Sequence, residues 1–275
     1  MSELRVFWSF VVKTFAFSWI VWIPVIVLEL DTVEHTAGML IFLLGGFGPS
    51  LFGFYELFIK ADRAGRDEFW SRLLSLGRIG LMWLLITLLF YPGVFALSVA
   101  IDTVFISDSL PEADKLRSMI EGGALVFLFN TIYILLLGPL AEEIGWRGYL
   151  LDRTQAVLSP LKSTLLVGTV WWAWHLPLFF MPSTLHGSQG LLSFFSFGYF
   201  ITVMGYSFLF TWLFNKTNRS ILIPILAHFV INFTLGTLPP FSGMIFVISS
   251  ILLMVISIIL YWRDRTLGKR KHVGV

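Results

Sequence analysis

Long apolar runs recur along almost the whole of this 275-residue chain, and they are the feature that most restricts its fold. Hydrophobic residues make up 57% of the sequence and charged residues 13%, with a mean hydropathy of +0.83. A bilayer offers the backbone no hydrogen-bond partners, so such a chain spans it as helices or as a closed barrel. Because the runs are continuous rather than alternating, they predict helices. We expect an all-α, polytopic membrane protein that forms a single domain over residues 1–275.

The number of spans follows from bilayer thickness, since a helix needs about 20 apolar residues to cross the hydrocarbon. Residues 60–78 mix charged and aromatic side chains, which predicts an amphipathic helix on the membrane surface, and residues 102–121 are predicted to form a polar loop. The absence of Cys excludes disulfides and thiol chemistry. On the length rule the chain is predicted to contain about eight transmembrane helices, with approximate bounds at residues 6–28, 38–58, 79–101, 124–158, 160–177, 191–213, 221–238 and 244–262.

Positive charges and small residues predict how these helices are arranged. Cytoplasmic loops carry an excess of Lys and Arg, and most of the 19 Lys and Arg residues share one side if the amino terminus is cytoplasmic. The sequence therefore predicts that both termini lie in the cytoplasm. Within the second predicted helix, the glycine-rich run at residues 45–53 favours close approach of a neighbouring helix.

Ionisable side chains interrupt the fourth apolar run. Glu142, Glu143 and Arg147 lie close together, although an ionisable group near the bilayer centre costs about 2.5–3.5 kcal/mol even on lenient insertion scales. Glu143 and Arg147 are four residues apart, a spacing that suits a charge-neutralising pair. Glu142 points about 100° away on a helix. We expect the pair to support the helix and to leave Glu142 free for chemistry.

Two further helices are expected to bring polar groups to the same depth. If the fourth and fifth helices fold back on each other, the 1.5 Å rise per residue places His175 within about 3–5 Å of the height of Glu142. On the seventh helix, His228 and Asn232 are four residues apart and share a face. We therefore predict one polar layer inside a four-helix core that spans residues 124–238.

This set of groups suits hydrolysis. Glu142, helped by His175, is predicted to take a proton from water and to return it to a leaving amine. His228 and Asn232 are predicted to donate hydrogen bonds to the oxyanion of a tetrahedral intermediate. The predicted partners are a protein or peptide substrate, lipidated or not, and membrane lipid, with no nucleic acid. The bond that would be cleaved is a peptide bond.

The same residues allow a second mechanism. Glu142, His175 and His228 make a set of two histidines and one carboxylate, as in zinc hydrolases, so a divalent metal such as Zn²⁺ is an open alternative. The helical zinc motif H-E-x-x-H is absent, which weakens this alternative without removing it. The sequence therefore leaves the cofactor undetermined.

The polar residues form three motifs, Glu142-Glu143-x-x-x-Arg147, Trp171-x-x-x-His175 and His228-x-x-x-Asn232. These motifs resemble those of the CAAX-protease and bacteriocin-processing family of intramembrane peptidases, also called Abi. Where this chain has a Trp at the start of the second motif, the family often has Phe.

The resemblance implies an eight-helix fold with a cavity reached from the cytoplasm. It implies that Glu142 and His175 activate water, that His228 and Asn232 form the oxyanion site, and that the other two motif residues are supporting. Members are usually described as metalloproteases, although a glutamate mechanism without metal is also argued. One branch removes the last three residues of prenylated CAAX proteins. The runs at residues 145–151 and 174–177 look more like the bacterial branch, which implies a bacterial cell membrane.

Two functions from other classes remain open on the sequence. Intramembrane carboxylates and histidines also relay protons and bind ions, which would suit a proton- or ion-coupled transporter. Against a transporter, the sequence shows no inverted repeat and no paired broken helices. A scaffold that binds other membrane proteins is the second of these functions.

Single residues also have ordinary structural explanations. Trp171 is predicted to face lipid or the core, and His186 is predicted to lie in a solvated loop.

Overall fold

The computed structural model describes residues 3–107, 113–238 and 243–264, which fold as helices joined by short turns, with no strand among them. Short π-helical turns extend several helices, at Tyr55–Ile59, Thr103–Ser107, Leu136–Leu140 and Ile144–Leu151. Two 3₁₀ turns lie at Leu76–Arg78 and Leu176–Phe180. In chain order the helices are α1 Glu3–Val27, α2 Thr36–Gly46, α3 Gly48–Phe54, α4 Arg63–Leu74, α5 Leu81–Asp102, α6 Asp114–Glu121, α7 Gly123–Leu135, α8 Ala141–Glu143, α9 Asp152–Val157, α10 Pro160–Trp174, α11 Leu185–Gln189, α12 Phe194–Lys216, α13 Leu222–Thr237 and α14 Gly243–Arg263.

The all-α prediction is confirmed, whereas the count of eight spans stays a prediction. The pair Thr36–Gly46 and Gly48–Ile59, with a bend of 43° between its halves, would count as a sixth candidate span in addition to the five given at the end of this paragraph. The other two predicted spans correspond to α10 and α13, with 15 and 16 residues, fewer than the roughly 20 needed to cross the hydrocarbon alone. Within the described residues, the five stretches long and apolar enough to cross a membrane are Arg5–Val27, Leu81–Ser107, Gly123–Val157, Phe194–Lys216 and Gly243–Arg263.

The segment predicted to be a polar loop, residues 102–121, is partly helical, so that prediction is wrong in part. The π-helical turn Thr103–Ser107 continues α5, and α6 occupies Asp114–Glu121. Helix α6 is amphipathic and buries Met119, which explains why a polar sequence there forms a helix. Pro111, which belongs to the predicted loop, lies outside the described residues.

Helix α12 lies at the centre of the bundle and α7 lies at its edge. In the most apolar window of α12, 72% of the residues are buried, and it packs against α10 and α14. In the corresponding window of Gly123–Val157 only 11% are buried, and none of the 13 residues of α7 is buried. Since α7 meets the protein mainly through α6 and α13, one wall of the bundle is a helix with few protein neighbours.

A helix is present in the segment predicted to be amphipathic, as α4, but its apolar and polar residues do not separate into two faces, so that part of the prediction is wrong. A buried arginine attaches this helix to the bundle. The side chain of Arg72 is almost fully enclosed. Its Nε donates to the carbonyl of Arg219 at 2.9 Å, and its Nη2 donates to the carbonyl of Gly148 at 3.2 Å. Its Nη1 lies 3.3 Å from the carboxylate of Asp152. Helix α4 is therefore fixed to the chain around α9 and to the turn before α13.

Glycine allows α3 to touch the ion-pair segment backbone to backbone. A Cβ added at Gly145 would lie 2.2 Å from the carbonyl oxygen of Pro49. A Cβ added at Gly53 would lie 2.7 Å from the Cα of Gly145. These distances are far shorter than van der Waals contact, and the atoms involved belong to the main chain. The close approach predicted from the glycine-rich run is confirmed.

Replacing Gly145 with Ala is expected to destabilise the protein, because a new methyl group would force two main chains apart. Overpacking of this kind typically costs about 1–3 kcal/mol. Gly93→Ala is the matched control, since an added Cβ there has no neighbour within 4 Å. Thermal unfolding of the purified variants in detergent checks this. Gly145→Ala should melt several degrees lower and Gly93→Ala no lower than the parent; equal melting temperatures for all three would contradict the packing argument.

Candidate functional site

A break in the helical backbone precedes the acidic motif. The π-helical turn between α7 and α8 contains Leu137 with φ −82° and ψ 87°, and Gly138 with φ 111° and ψ −77°. A positive φ of this size favours glycine, which has no Cβ. The freed carbonyl of Leu137 accepts a hydrogen bond from Nδ2 of Asn232 at 3.4 Å. The break therefore brings the backbone of this turn against a polar side chain of α13.

Gly138 is also needed for space. A Cβ at this position would lie 2.9 Å from Nδ2 of Asn232 and 3.1 Å from Nε2 of His228. Both nitrogens thus border the same small volume beside the Gly138 backbone. The prediction that His228 and Asn232 present their polar tips on one face of a helix agrees with this arrangement.

The predicted ion pair is present and completely buried. Glu143 and Arg147 both have 0% exposure, and Nη1 of Arg147 lies 3.0 Å from each carboxylate oxygen. The guanidinium carbon lies 4.0 Å from the ring centroid of Trp171 and 4.7 Å from that of Phe210. Its Nε and Nη2 have no hydrogen-bond partner among the described residues. Two aromatic faces and one carboxylate therefore hold this cation inside the bundle.

Glu143 has a second partner that the sequence did not reveal. Nδ1 of His228 lies 2.8 Å from Oε1 of Glu143. An ionised carboxylate only accepts hydrogen bonds, so Nδ1 donates. The ring is then oriented with Nε2 toward Gly138, and Nε2 can donate only when the ring carries a second proton. Glu143 therefore links Arg147 on its own helical segment to His228 on α13.

Glu142 is buried separately from the ion pair, as its helical position predicts. Its residue exposure is 6%, and Oε2 accepts a hydrogen bond from the indole Nε1 of Trp171. Trp171 lies on α10 with 2% exposure. The indole therefore does not face lipid, and its contact with Glu142 was not predicted. The one related feature of the sequence is a Trp, rather than a Phe, at the first position of the second motif.

His175 lies at the carboxyl end of α10. The helix begins at Pro160, and the side chain of Ser159 accepts a hydrogen bond from the backbone N–H of Lys162 as its cap. The helix ends at Trp174, with His175 as its carboxyl-terminal cap, because Pro177 has no N–H to continue the helical hydrogen bonds. Nδ1 of His175 lies 2.8 Å from the carbonyl oxygen of Trp171. A carbonyl only accepts, so Nδ1 donates and Nε2 remains available as an acceptor.

His186 does not lie in a solvated loop, so that prediction is wrong. It sits in α11, and its ring lies 6.2 Å from His175 with nearly parallel planes and 4.4 Å from Tyr199. Its Nε2 is buried without a hydrogen-bond partner among the described residues. Apolar aromatic neighbours enclose the ring because α11 folds back over the end of α10. Spacing along the chain gave no indication of this contact.

Three helical segments contribute to one cluster around Trp171. The indole bonds Glu142 after the break, and its ring lies 6.0 Å from His175 on its own helix and 5.6 Å from His228 on α13. The polar layer predicted from helix heights is thus present around a tryptophan. The catalytic roles of these residues stay predictions.

The alternative metal set does not fit this arrangement. Within residues 3–107, 113–238 and 243–264, no three His, Asp or Glu side chains are close enough together to hold a metal ion. No mechanistic step is therefore derived through a metal.

Comparison with known proteins identifies the same region. Residues 124–234 match the family model of type II CAAX prenyl endopeptidase Rce1-like proteins, and this range contains all three motifs. The CAAX prenyl protease 2 of Methanococcus maripaludis is 27% identical over 228 residues, which cover 80% of each chain. The resemblance drawn from the motifs is confirmed by both findings.

Proposed function

We propose, from its similarity to Rce1-like CAAX prenyl endopeptidases, that this chain is an intramembrane endopeptidase. It hydrolyses a peptide bond in a membrane-associated protein or peptide, either near the carboxyl terminus of that substrate or in a membrane-proximal segment. The observation that carries the proposal is the cluster of Glu142, His175 and His228 around one buried indole, inside the region that matches the family. The match to peptidases, rather than the cluster itself, favours this function over a transporter or a scaffold.

Glu142 is the proposed base that activates water. It is the carboxylate outside the Glu143–Arg147 pair, so the guanidinium does not form a hydrogen bond with it. His175 is the proposed partner in proton transfer, since its Nδ1 is held by a backbone carbonyl and its Nε2 remains for water or the leaving amine. A positioned acid or base of this kind typically contributes about 10²–10⁴-fold to the rate.

His228 and Asn232 are the proposed donors to the oxyanion of the tetrahedral intermediate. Their terminal nitrogens border one volume beside Gly138, where a Cβ would lie about 3 Å from each. Glu143 already accepts from Nδ1 of His228, so donation from Nε2 needs a second proton on the ring while the oxyanion is present. Loss of one such donor typically costs about 10²–10³-fold in rate. Glu143 and Arg147 are proposed to support the site by fixing this ring.

The proposed location is a bacterial cell membrane, with both termini in the cytoplasm and a cavity open on that side. The distribution of Lys and Arg supports the orientation. Arg72, which attaches α4 to the bundle, and Arg219, which pairs with the same Asp152 carboxylate, lie on the proposed cytoplasmic face. The basic tail at residues 265–275 also supports it and lies outside the described residues.

The activity is tested with purified protein in detergent and two peptides of the same sequence, one carrying a farnesyl group on the CAAX cysteine and one unmodified. Mass spectrometry measures release of the terminal tripeptide. Cleavage of the farnesylated peptide alone would assign a lipidated substrate, and cleavage of both would assign a peptide-specific one. If a folded preparation cleaves neither peptide, nor any of a set of membrane-proximal peptides, the proposal is wrong.

Metal removal is expected to leave the activity unchanged. The donor side chains around Glu142 do not form a metal set, and the proposed base is the carboxylate itself. The measurement compares tripeptide release before and after treatment with chelator, with the metal content of the same samples determined by elemental analysis. Activity that falls in proportion to metal content, and returns on addition of Zn²⁺, would contradict the glutamate mechanism.

A further inference from the structure

We propose that Trp171 is a positioning residue for the peptidase reaction, in which its indole N–H holds the carboxylate of Glu142 in the orientation that activates water. The proposal rests on the proposed function, because Glu142 is the base assigned there. It concerns a residue whose side chain in related motifs is often a Phe, which has no polar hydrogen to donate.

The contact itself is a buried, charge-assisted hydrogen bond. Trp171 Nε1 donates to Oε2 of Glu142, with 2% and 6% of the two residues exposed. Hydrogen bonds to ionised groups are stronger than neutral ones, and more so away from water. With Oε2 engaged by the indole, Oε1 is the carboxylate oxygen that remains for water. The indole therefore selects which oxygen acts as the base.

The indole can hold Glu142 only if it is itself fixed, and two ring contacts fix it. The guanidinium of Arg147 lies 4.0 Å from the ring centroid, a cation–π contact for which Trp is the best aromatic partner. The ring of His228 meets it edge to face at 5.6 Å. The backbone carbonyl of Trp171 accepts from Nδ1 of His175. One residue thus connects the base, its proton-transfer partner, the oxyanion donor and the buried ion pair.

The neighbouring tryptophans show that the contact is specific to this position. Trp172 and Trp174 lie on the same helix, and their indole nitrogens are buried without a hydrogen-bond partner among the described residues. A tryptophan on this helix therefore does not automatically form a hydrogen bond with a carboxylate. The N–H of Trp171 has an acceptor because α10 places this indole against the segment that follows the break at Gly138.

The test compares Trp171→Phe with Trp172→Phe, which removes an indole that lies outside the proposed machinery and whose N–H lacks an acceptor among the described residues. With the cleaved peptide as substrate and rates normalised to folded enzyme, Trp171→Phe is expected to lower kcat by about 10- to 100-fold, the size of a lost charge-assisted bond. KM should stay unchanged, because the indole acts on the base and not on substrate binding. Trp172→Phe should keep the kcat of the parent.

An unchanged kcat in Trp171→Phe, or a change in KM alone, would overturn the positioning role of Trp171. Because the parent protein would still cleave the peptide, the proposed function would not be affected by that result. A readout without activity separates the two proposals further. In protein labelled with ¹⁵N at tryptophan, the indole resonance missing from Trp171→Phe identifies Trp171. Glu142→Ala is expected to shift that resonance and to leave the Trp172 resonance in place. A Trp171 resonance that does not move would refute the hydrogen bond even if the protein cleaves no peptide.

Discussion

Replacing Glu142 with Gln is expected to reduce peptide hydrolysis by at least about 10³-fold, at the upper part of the range for loss of a general base. Gln keeps the shape of Glu, and its carbonyl oxygen can still accept from the indole of Trp171. It cannot take a proton from water. The variant should therefore insert, fold and melt like the parent while releasing no tripeptide, as measured by mass spectrometry on matched amounts of folded protein.

Glu121→Gln is the matched control, because Glu121 is an exposed carboxylate at the end of α6 and lies far along the chain from the motifs. It should keep full activity.

The two variants Glu142→Gln and Glu121→Gln also distinguish the peptidase from the alternative functions. A transporter would lose or change ion or solute uptake in vesicles when Glu142 is neutralised, and a scaffold would change only in stability. Hydrolysis that survives in Glu142→Gln would remove the glutamate from the mechanism.

Replacing Arg147 with Met is expected to have the largest effect on stability. The substitution would leave the carboxylate of Glu143 fully buried without its cation, and breaking one side of a buried pair typically costs about 3–5 kcal/mol. That loss is a large part of the total stability of a typical protein. The expected result is poor accumulation in the membrane and a broad unfolding transition at low temperature in detergent. Size-exclusion chromatography after heating to a series of temperatures measures the folded fraction.

The double variant Glu143→Gln with Arg147→Met tests the cause. It removes both charges, so no unpaired ion remains, and it is expected to recover much of the folded fraction lost in the single variant. It should remain far less active than the parent, because the amide introduced in place of the Glu143 carboxylate would hold His228 through a weaker, uncharged contact. If the double variant is no more stable than Arg147→Met alone, packing against Trp171 and Phe210 rather than charge balance explains the loss.

The positions of the helices could be predicted closely from the sequence, and their irregularities could not. Apolar runs predict where a helix such as α5 lies, because burial in lipid depends on the sequence of that helix alone. The observed start of α5 at Leu81 is two residues from the predicted start. The break at Gly138 depends on what α13 presents to it. The sequence shows a Gly followed by Pro139, a pair that marks many ordinary turns.

In the site, contacts within one helix could be predicted from the sequence and contacts between helices could not. The i,i+4 spacing predicted the pair of Glu143 and Arg147, since one helical face decides it. The bonds from His228 to Glu143 and from Trp171 to Glu142 join residues 85 and 29 positions apart, so no local pattern reports them. His186 was misjudged because its short helix looks like a polar loop until α11 is seen to fold over His175.

Helix α7 has a consequence for the setting in which the protein works. None of its side chains is buried by protein, and it runs directly into the irregular turn beside Gly138. Lipid therefore covers much of its surface, and a helix with few protein contacts can adjust more readily to the thickness of the hydrocarbon around it. Turnover is consequently expected to depend on acyl-chain length in reconstituted bilayers, with the same polypeptide faster in one thickness than in another.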